Sequence, residues 1–154
     1  MAKKSPFDVQ KLHYFHIRDL TFNYELADNI PLSRDRNESP KFKMEILKTI
    51  GIKEKIIRLV FTIELKAYIK TKKEGSAVYT TEHLFTIENL EDLVNKNEED
   101  IEIDTVLDTT LTGLAYSTVR GKLHEKFSGT LFSNFILPII RPAELSKPAN
   151  GNKA

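Results

Sequence analysis

From Lys55 to Lys70 apolar and polar residues take turns. Ile57, Leu59, Phe61, Ile63, Leu65, Ala67 and Ile69 fall on one parity, with Arg58, Thr62, Glu64, Lys66 and Lys70 on the other. A period of two sends alternate side chains to opposite sides of a pleated strand, so this run predicts a long antiparallel strand with one dry and one wet face. The preceding segment repeats the pattern, with Met44, Ile46, Ile50 and Ile52 set against Lys41, Lys43, Glu45, Thr49 and Lys53. Gly51 to Lys55 is short enough to join the two strands as a hairpin, with Gly51 in the turn or at a bulge. Upstream, Leu12 to Glu25 reads as a strand that changes phase: Phe15 and Ile17 share one face, Leu20, Phe22 and Tyr24 the other, which requires a bulge or bend near Arg18 and Asp19. Ala27 to Pro40, rich in Asp, Asn, Ser and Pro, reads as a surface loop. Lys72 to Ser76 reads as the next turn. A fourth strand, Ala77 to Ile87, then puts Tyr79, Thr81, His83, Phe85 and Ile87 on one side and Val78, Thr80, Glu82, Leu84 and Thr86 on the other.

The second half changes character. Between Glu88 and Asp104 the only cation is Lys96, against eight carboxylates including Glu98, Glu99 and Asp100, and the segment reads as an acidic connector. Leu90, Leu93 and Val94 suit one helical turn inside it, and Asp104 suits an N-cap. From Thr105 to Ser128, Leu107, Leu111, Ala115, Val119, Leu123 and Phe127 recur every four residues, with Leu114 beside them. This predicts an amphipathic helix about 36 Å long whose apolar stripe drifts by about 40° per step, as packing across a twisted sheet requires. Gly113 and Gly121 weaken helix propensity, which close packing against a neighbour would offset, and Ser128-Gly129 is a stop. Thr130 to Ile140 is strongly apolar, but Pro138 and Pro142 oppose a long helix, so an extended segment laid over the core or an interface is expected. The whole is α+β: a four-stranded antiparallel sheet packed with a long C-terminal helix, in one domain from 12 to 145, between a flexible N-terminus (1–11) and a disordered tail (146–154).

Composition narrows the chemistry. With 23 basic and 22 acidic residues the formal net charge is +1, which gives no global attraction to nucleic acid or to an acidic membrane. No run is apolar enough for a signal peptide or a membrane span, and there is no cysteine, so a cytoplasmic protein without membrane insertion is expected. No phosphate loop, nucleophile elbow or zinc-hydrolase motif is present, so neither catalysis nor a cofactor is expected. His13 and His16, three apart in a strand, would leave opposite faces and share no metal; His83 reads as a polar residue on a half-exposed sheet. Lys122, His124 and Lys126 suit the C-terminal end of a helix dipole. One sheet and one helix cannot cover every large apolar residue in the chain, and the surplus predicts a partner, either an identical subunit or an unfolded chain.

The order of elements resembles the SecB protein-export chaperone family, and local motifs carry the likeness. Ile17-Arg18-Asp19-Leu20-Thr21-Phe22 resembles the family's first-strand motif, and Leu84-Phe85-Thr86-Ile87 its end of strand four. Gly113-Leu114-Ala115-Tyr116, Arg120-Gly121, Gly129-Thr130, Phe132 and Leu137-Pro138 resemble its helix and the exit from it. The resemblance implies a homotetramer, a dimer of dimers, acting as an ATP-independent holdase that takes apolar segments of unfolded polypeptides out of water. Aromatic candidates for the client surface are Phe15, Phe22, Tyr24, Phe132 and Phe135, with Asp19 and Glu25 toward a docking partner. Typical members dock the motor ATPase SecA through acidic residues on the outer sheet; Asp19 matches one, whereas Asn23 and Val78 stand at the others. The chain after Pro142 is also short for the family's second C-terminal helix. Both departures resemble the divergent SecB-like branch, some of whose members protect toxin–antitoxin components. The alternative to an export chaperone is therefore an adaptor or toxin–antitoxin-associated chaperone with one dedicated protein partner.

Overall fold

The computed structural model of the chain describes residues 6–26, 40–69 and 72–145. The expected loop from Ala27, the first five residues and the tail from Ser146 lie outside the described residues. Four long strands, β1 (Leu12–Leu26), β2 (Lys41–Gly51), β3 (Ile56–Ile69) and β4 (Lys72–Ile87), form one antiparallel sheet in the order β1-β4-β3-β2. Each neighbouring pair is antiparallel, and β2 and β3 join as the expected hairpin through a turn in which Lys55 takes a positive φ of 58°.

The alternation places the strands as the side chains require. The odd residues of β3 and β4 from Ile57 to Ala67 and from Ala77 to Ile87 form one buried face. Over it lies α1 (Thr105–Lys126), which contributes Leu107, Leu111, Ala115, Val119 and Leu123, with Phe127 just past its end. The Asp104 carboxylate accepts hydrogen bonds from the amides of Val106 and Leu107, both 3.0 Å, satisfying two orphan donors of the first turn. Past the helix, Gly129 adopts φ 77°, the left-handed stop.

Six expectations need correction. Lys72 to Ser76 is strand, not turn. Gly75 lies between Leu26 and Ala67 in the sheet, where an added Cβ would sit 2.9 Å from the Glu25 carbonyl oxygen and 3.1 Å from Leu131, so this glycine serves close packing. The acidic connector is a 3-10 turn (Leu90–Asp92) followed by a small hairpin of β5 (Val94–Lys96) and β6 (Ile101–Ile103), anchored by buried Leu90 and Leu93. Strand β1 shifts register twice, skipping Phe15 and Leu20; the second shift is the expected bulge, and the first turns His13 and His16 to the same face. His83 is fully buried, and Leu114 points outward. Of the two helix glycines, Gly113 packs under Pro142, whereas Gly121 faces open space.

The apolar run after α1 lies over the core as expected, but it is not extended throughout. Leu131 to Asn134 coils through turns closed by hydrogen bonds from the Ser133 amide to the Thr130 carbonyl (3.1 Å) and from the Phe135 amide to the Phe132 carbonyl (2.9 Å), and only Phe135 to Ile140 runs free of turns. Phe132 and Leu137 are buried, Tyr116 donates a hydrogen bond from its hydroxyl to the Pro138 carbonyl (2.6 Å), and Arg120 Nε donates to the Leu137 carbonyl (2.9 Å). A four-residue helix, α2 (Pro142–Leu145), follows. At the other end Val9–Lys11 forms a 3-10 turn capped by Asp8.

Candidate functional site

The strap from Phe135 to Ile140 carries apolar side chains on both its sides. Phe135 and Leu137 turn down into the core, while Ile136 and Ile139 turn out, Ile139 being 89% exposed. The Phe135 ring meets Phe42 of β2 at 5.7 Å between centroids, and Phe42 is itself partly open to water. Burial of the strap's inner side and its two side-chain hydrogen bonds to α1 hold the outer side in place, so its aliphatic groups are presented by a fixed backbone.

A second apolar fringe follows β1, an edge strand. Ile17, Phe22 and Tyr24 pair across from His83, Tyr79 and Ala77, which places them on the α1 side of the sheet. Phe22 packs on Phe127 and Tyr79 with its outer part exposed, and Phe15, on a bulge, is 51% exposed. Tyr24 is half-buried; its hydroxyl accepts from the Leu131 amide (3.0 Å) and its ring meets Phe132 edge-on. Phe132 has no exposed surface. The five aromatics named from the sequence thus occupy different depths: Phe15 and Phe22 at the surface, Tyr24 half-buried, Phe135 and Phe132 in the core.

Asp19 also faces α1. Its carboxylate accepts from the Tyr79 hydroxyl (2.5 Å) and pairs with Lys122 (3.2 Å) and Lys126 (3.1 Å). Partial burial works to raise its pKa, but the hydrogen bonds from Tyr79 and the two lysines outweigh it and hold the carboxyl below its ordinary value. Glu25 is exposed on the opposite, outer face, on which Asn23 and Val78 are direct cross-strand partners. Beneath α1, His83 Nδ1 is hydrogen-bonded to the Tyr14 hydroxyl, while its Nε2 has no hydrogen-bond partner among the described residues. Burial, then the nearby Lys122 charge, lowers its pKa to about 4.

The outer face has its own charged centre, which the sequence reading missed. Glu82 is only 5% exposed, yet α1 does not cover it; Arg18 Nη2 reaches its Oε1 at 2.9 Å and Arg58 Nε its Oε2 at 2.5 Å. Its pKa is lowered, chiefly by the hydrogen bond from Arg58. Strand register was the missing information, because Arg18 and Glu82 pair only once the bulge in β1 is placed. No cluster of three or more metal-ligating side chains occurs among the described residues, and no described helix is long and apolar enough to cross a membrane.

No protein-family model matches the sequence, and no curated protein matches it. Among solved structures, the chain is similar to a Mycobacterium tuberculosis SecB-like chaperone in complex with a ChAD peptide from the HigA1 antitoxin, at a TM-score of 0.62 and 16% identity over 86% of this chain and 92% of that one. A protein of unknown function from Streptococcus agalactiae aligns at a TM-score of 0.41 and 12% identity, over 84% and 95% of the two chains. The four-stranded sheet, its long covering helix and the likeness to the mycobacterial structure together make this a SecB-like α+β fold.

Proposed function

We propose that the protein is an ATP-independent holdase chaperone that binds apolar segments of unfolded polypeptides in the cytoplasm, with no catalytic step. The observation that carries this reading is the strap: Ile136 and Ile139 stand exposed on a backbone fixed by Phe135, Leu137 and two hydrogen bonds to α1. Removing apolar surface from water is worth about 25 cal/mol per Å² and has no directional requirement, so such groups hold many sequences without chemistry. Phe15, Phe22 and Phe42 extend the surface, and Phe132 supports it from beneath.

The working unit in this reading is a homotetramer, a dimer of dimers. The outward row of α1, Val106, Thr110, Leu114, Ser117 and Gly121, carries no charge. The Thr110 hydroxyl in this row donates to the Val106 carbonyl of its own helix at 2.7 Å, so covering the row leaves that hydroxyl hydrogen-bonded. Two supports favour a dedicated partner over hand-over to SecA. The solved neighbour was captured with an antitoxin peptide. On the outer face the positions expected to be acidic are Asn23 and Val78, while Asp19 turns toward Lys122 and Lys126.

Binding of the purified protein to a permanently unfolded polypeptide and to its folded counterpart, without nucleotide, tests the reading. Selective binding to the unfolded form is expected, and binding to neither overturns it. Saturable binding of one native protein, without affinity for unfolded chains, would identify an adaptor instead.

A further inference from the structure

We propose that the sheet face turned away from α1 is a docking surface for an acidic polypeptide segment, read by Arg18 and Arg58. Strand register sets the residues side by side. Arg18, Glu82, Val60 and Leu47 form one row across the four strands, and His16, Leu84, Arg58 and Thr49 form the next. At about 4.8 Å between strands each row spans about 14 Å, the width of a bound peptide segment.

The charge balance of this centre selects the partner. Glu82 is nearly sealed and shared by two arginines, so one positive charge is left over, and Arg18 is 58% exposed. One arginine would suffice to neutralise a structural carboxylate. The second, with its fork of donors, is matched to a carboxylate from outside, since guanidinium and carboxylate geometry allow paired hydrogen bonds. Glu82 uses one nitrogen of each guanidinium and holds both side chains in position, which lowers the entropy lost on docking. Beside them Leu47, 61% exposed, and Leu84 offer aliphatic contacts. A single surplus charge next to aliphatic groups suits a peptide with a few carboxylates among apolar residues. It does not suit a nucleic acid or a lipid surface, which call for a broad basic stripe. The surface is separate from the strap, so the inference does not depend on holdase activity.

The test is a titration of the isotope-labelled full chain with a ten-residue peptide alternating Leu and Glu, followed by amide NMR shifts. The control peptide has Lys in place of Glu. Shifts are expected around Arg18, Arg58, Leu84 and Leu47, with weaker binding as salt rises past the screening range. The exposed single variant Arg18→Gln, which leaves Arg58 on Glu82, should weaken binding about threefold to tenfold while leaving capture of an unfolded polypeptide unchanged. Equal binding of the Lys peptide, unchanged affinity of the variant, or shifts confined to the strap would overturn the proposal. So would arginine-dependent binding of single-stranded DNA or anionic vesicles in place of the peptide.

Discussion

The Tyr79 hydroxyl donates a 2.5 Å hydrogen bond to Asp19, and this contact ties the edge strand β1 to the centre of the sheet where Lys122 and Lys126 descend from α1. A carboxylate read from the sequence as facing a docking partner is thus the point at which strand and helix meet.

Replacing Tyr79 by Phe leaves the Asp19 carboxylate short of one donor and is expected to lower stability by about 1–3 kcal/mol in denaturant unfolding. Because the folded-state pKa of Asp19 is depressed, its contribution is present above the ordinary carboxylate pKa and is lost as pH falls through the lower folded value. Asp19→Asn should flatten the acid limb of the stability curve in that range. An unchanged acid limb would show that the pair contributes nothing measurable.

His83 gives a second, separate pH dependence. Its pKa falls from 6.5 to about 4, so the unfolded state binds the extra proton between these values and stability should drop as pH falls through that window. The slope should approach one proton, about 1.4 kcal/mol per pH unit. His83→Gln removes the titrating group, and stability measured from pH 4.5 to 6.5 should lose that slope whatever the variant's absolute stability.

Depth separates the aromatics. Phe132→Ala opens a cavity in the core and should cost about 3–5 kcal/mol. Phe15→Ser and Ile139→Ser remove exposed groups and should change stability by no more than about 0.5 kcal/mol while weakening capture of an unfolded polypeptide. Paired unfolding and binding measurements on the same variants distinguish packing from client contact.

The glycines offer a control on backbone packing. Gly75→Ala places a methyl 2.9 Å from the Glu25 carbonyl oxygen and should destabilise by about 1–3 kcal/mol. Gly121→Ala meets no atom within 4 Å and should stabilise the helix by up to about 1 kcal/mol. Thermal unfolding of both variants checks the opposite signs.

The alternation of β2, β3 and β4 and the four-residue repeat of α1 were legible in the sequence because each depends only on local periodicity: 2.0 residues for a strand, 3.6 for a helix. Asp104 as N-cap and Gly129 as stop were legible for the same reason, since a cap bonds within its own turn. Tertiary structure decided what depends on neighbours distant in the chain. The bulge at Phe15 reversed the facing of all that precedes it and brought His13 onto the side of His16, because skipping one residue in a period of two exchanges the two faces. Packing beneath α1 buried His83, which local pattern placed only on one side of a strand. Cross-strand register joined Arg18, Arg58 and Glu82, and the descent of α1 over β1 turned Asp19 inward to Tyr79. These residues lie 24 to 64 positions apart along the chain, and register and packing, not sequence spacing, set the distances between them.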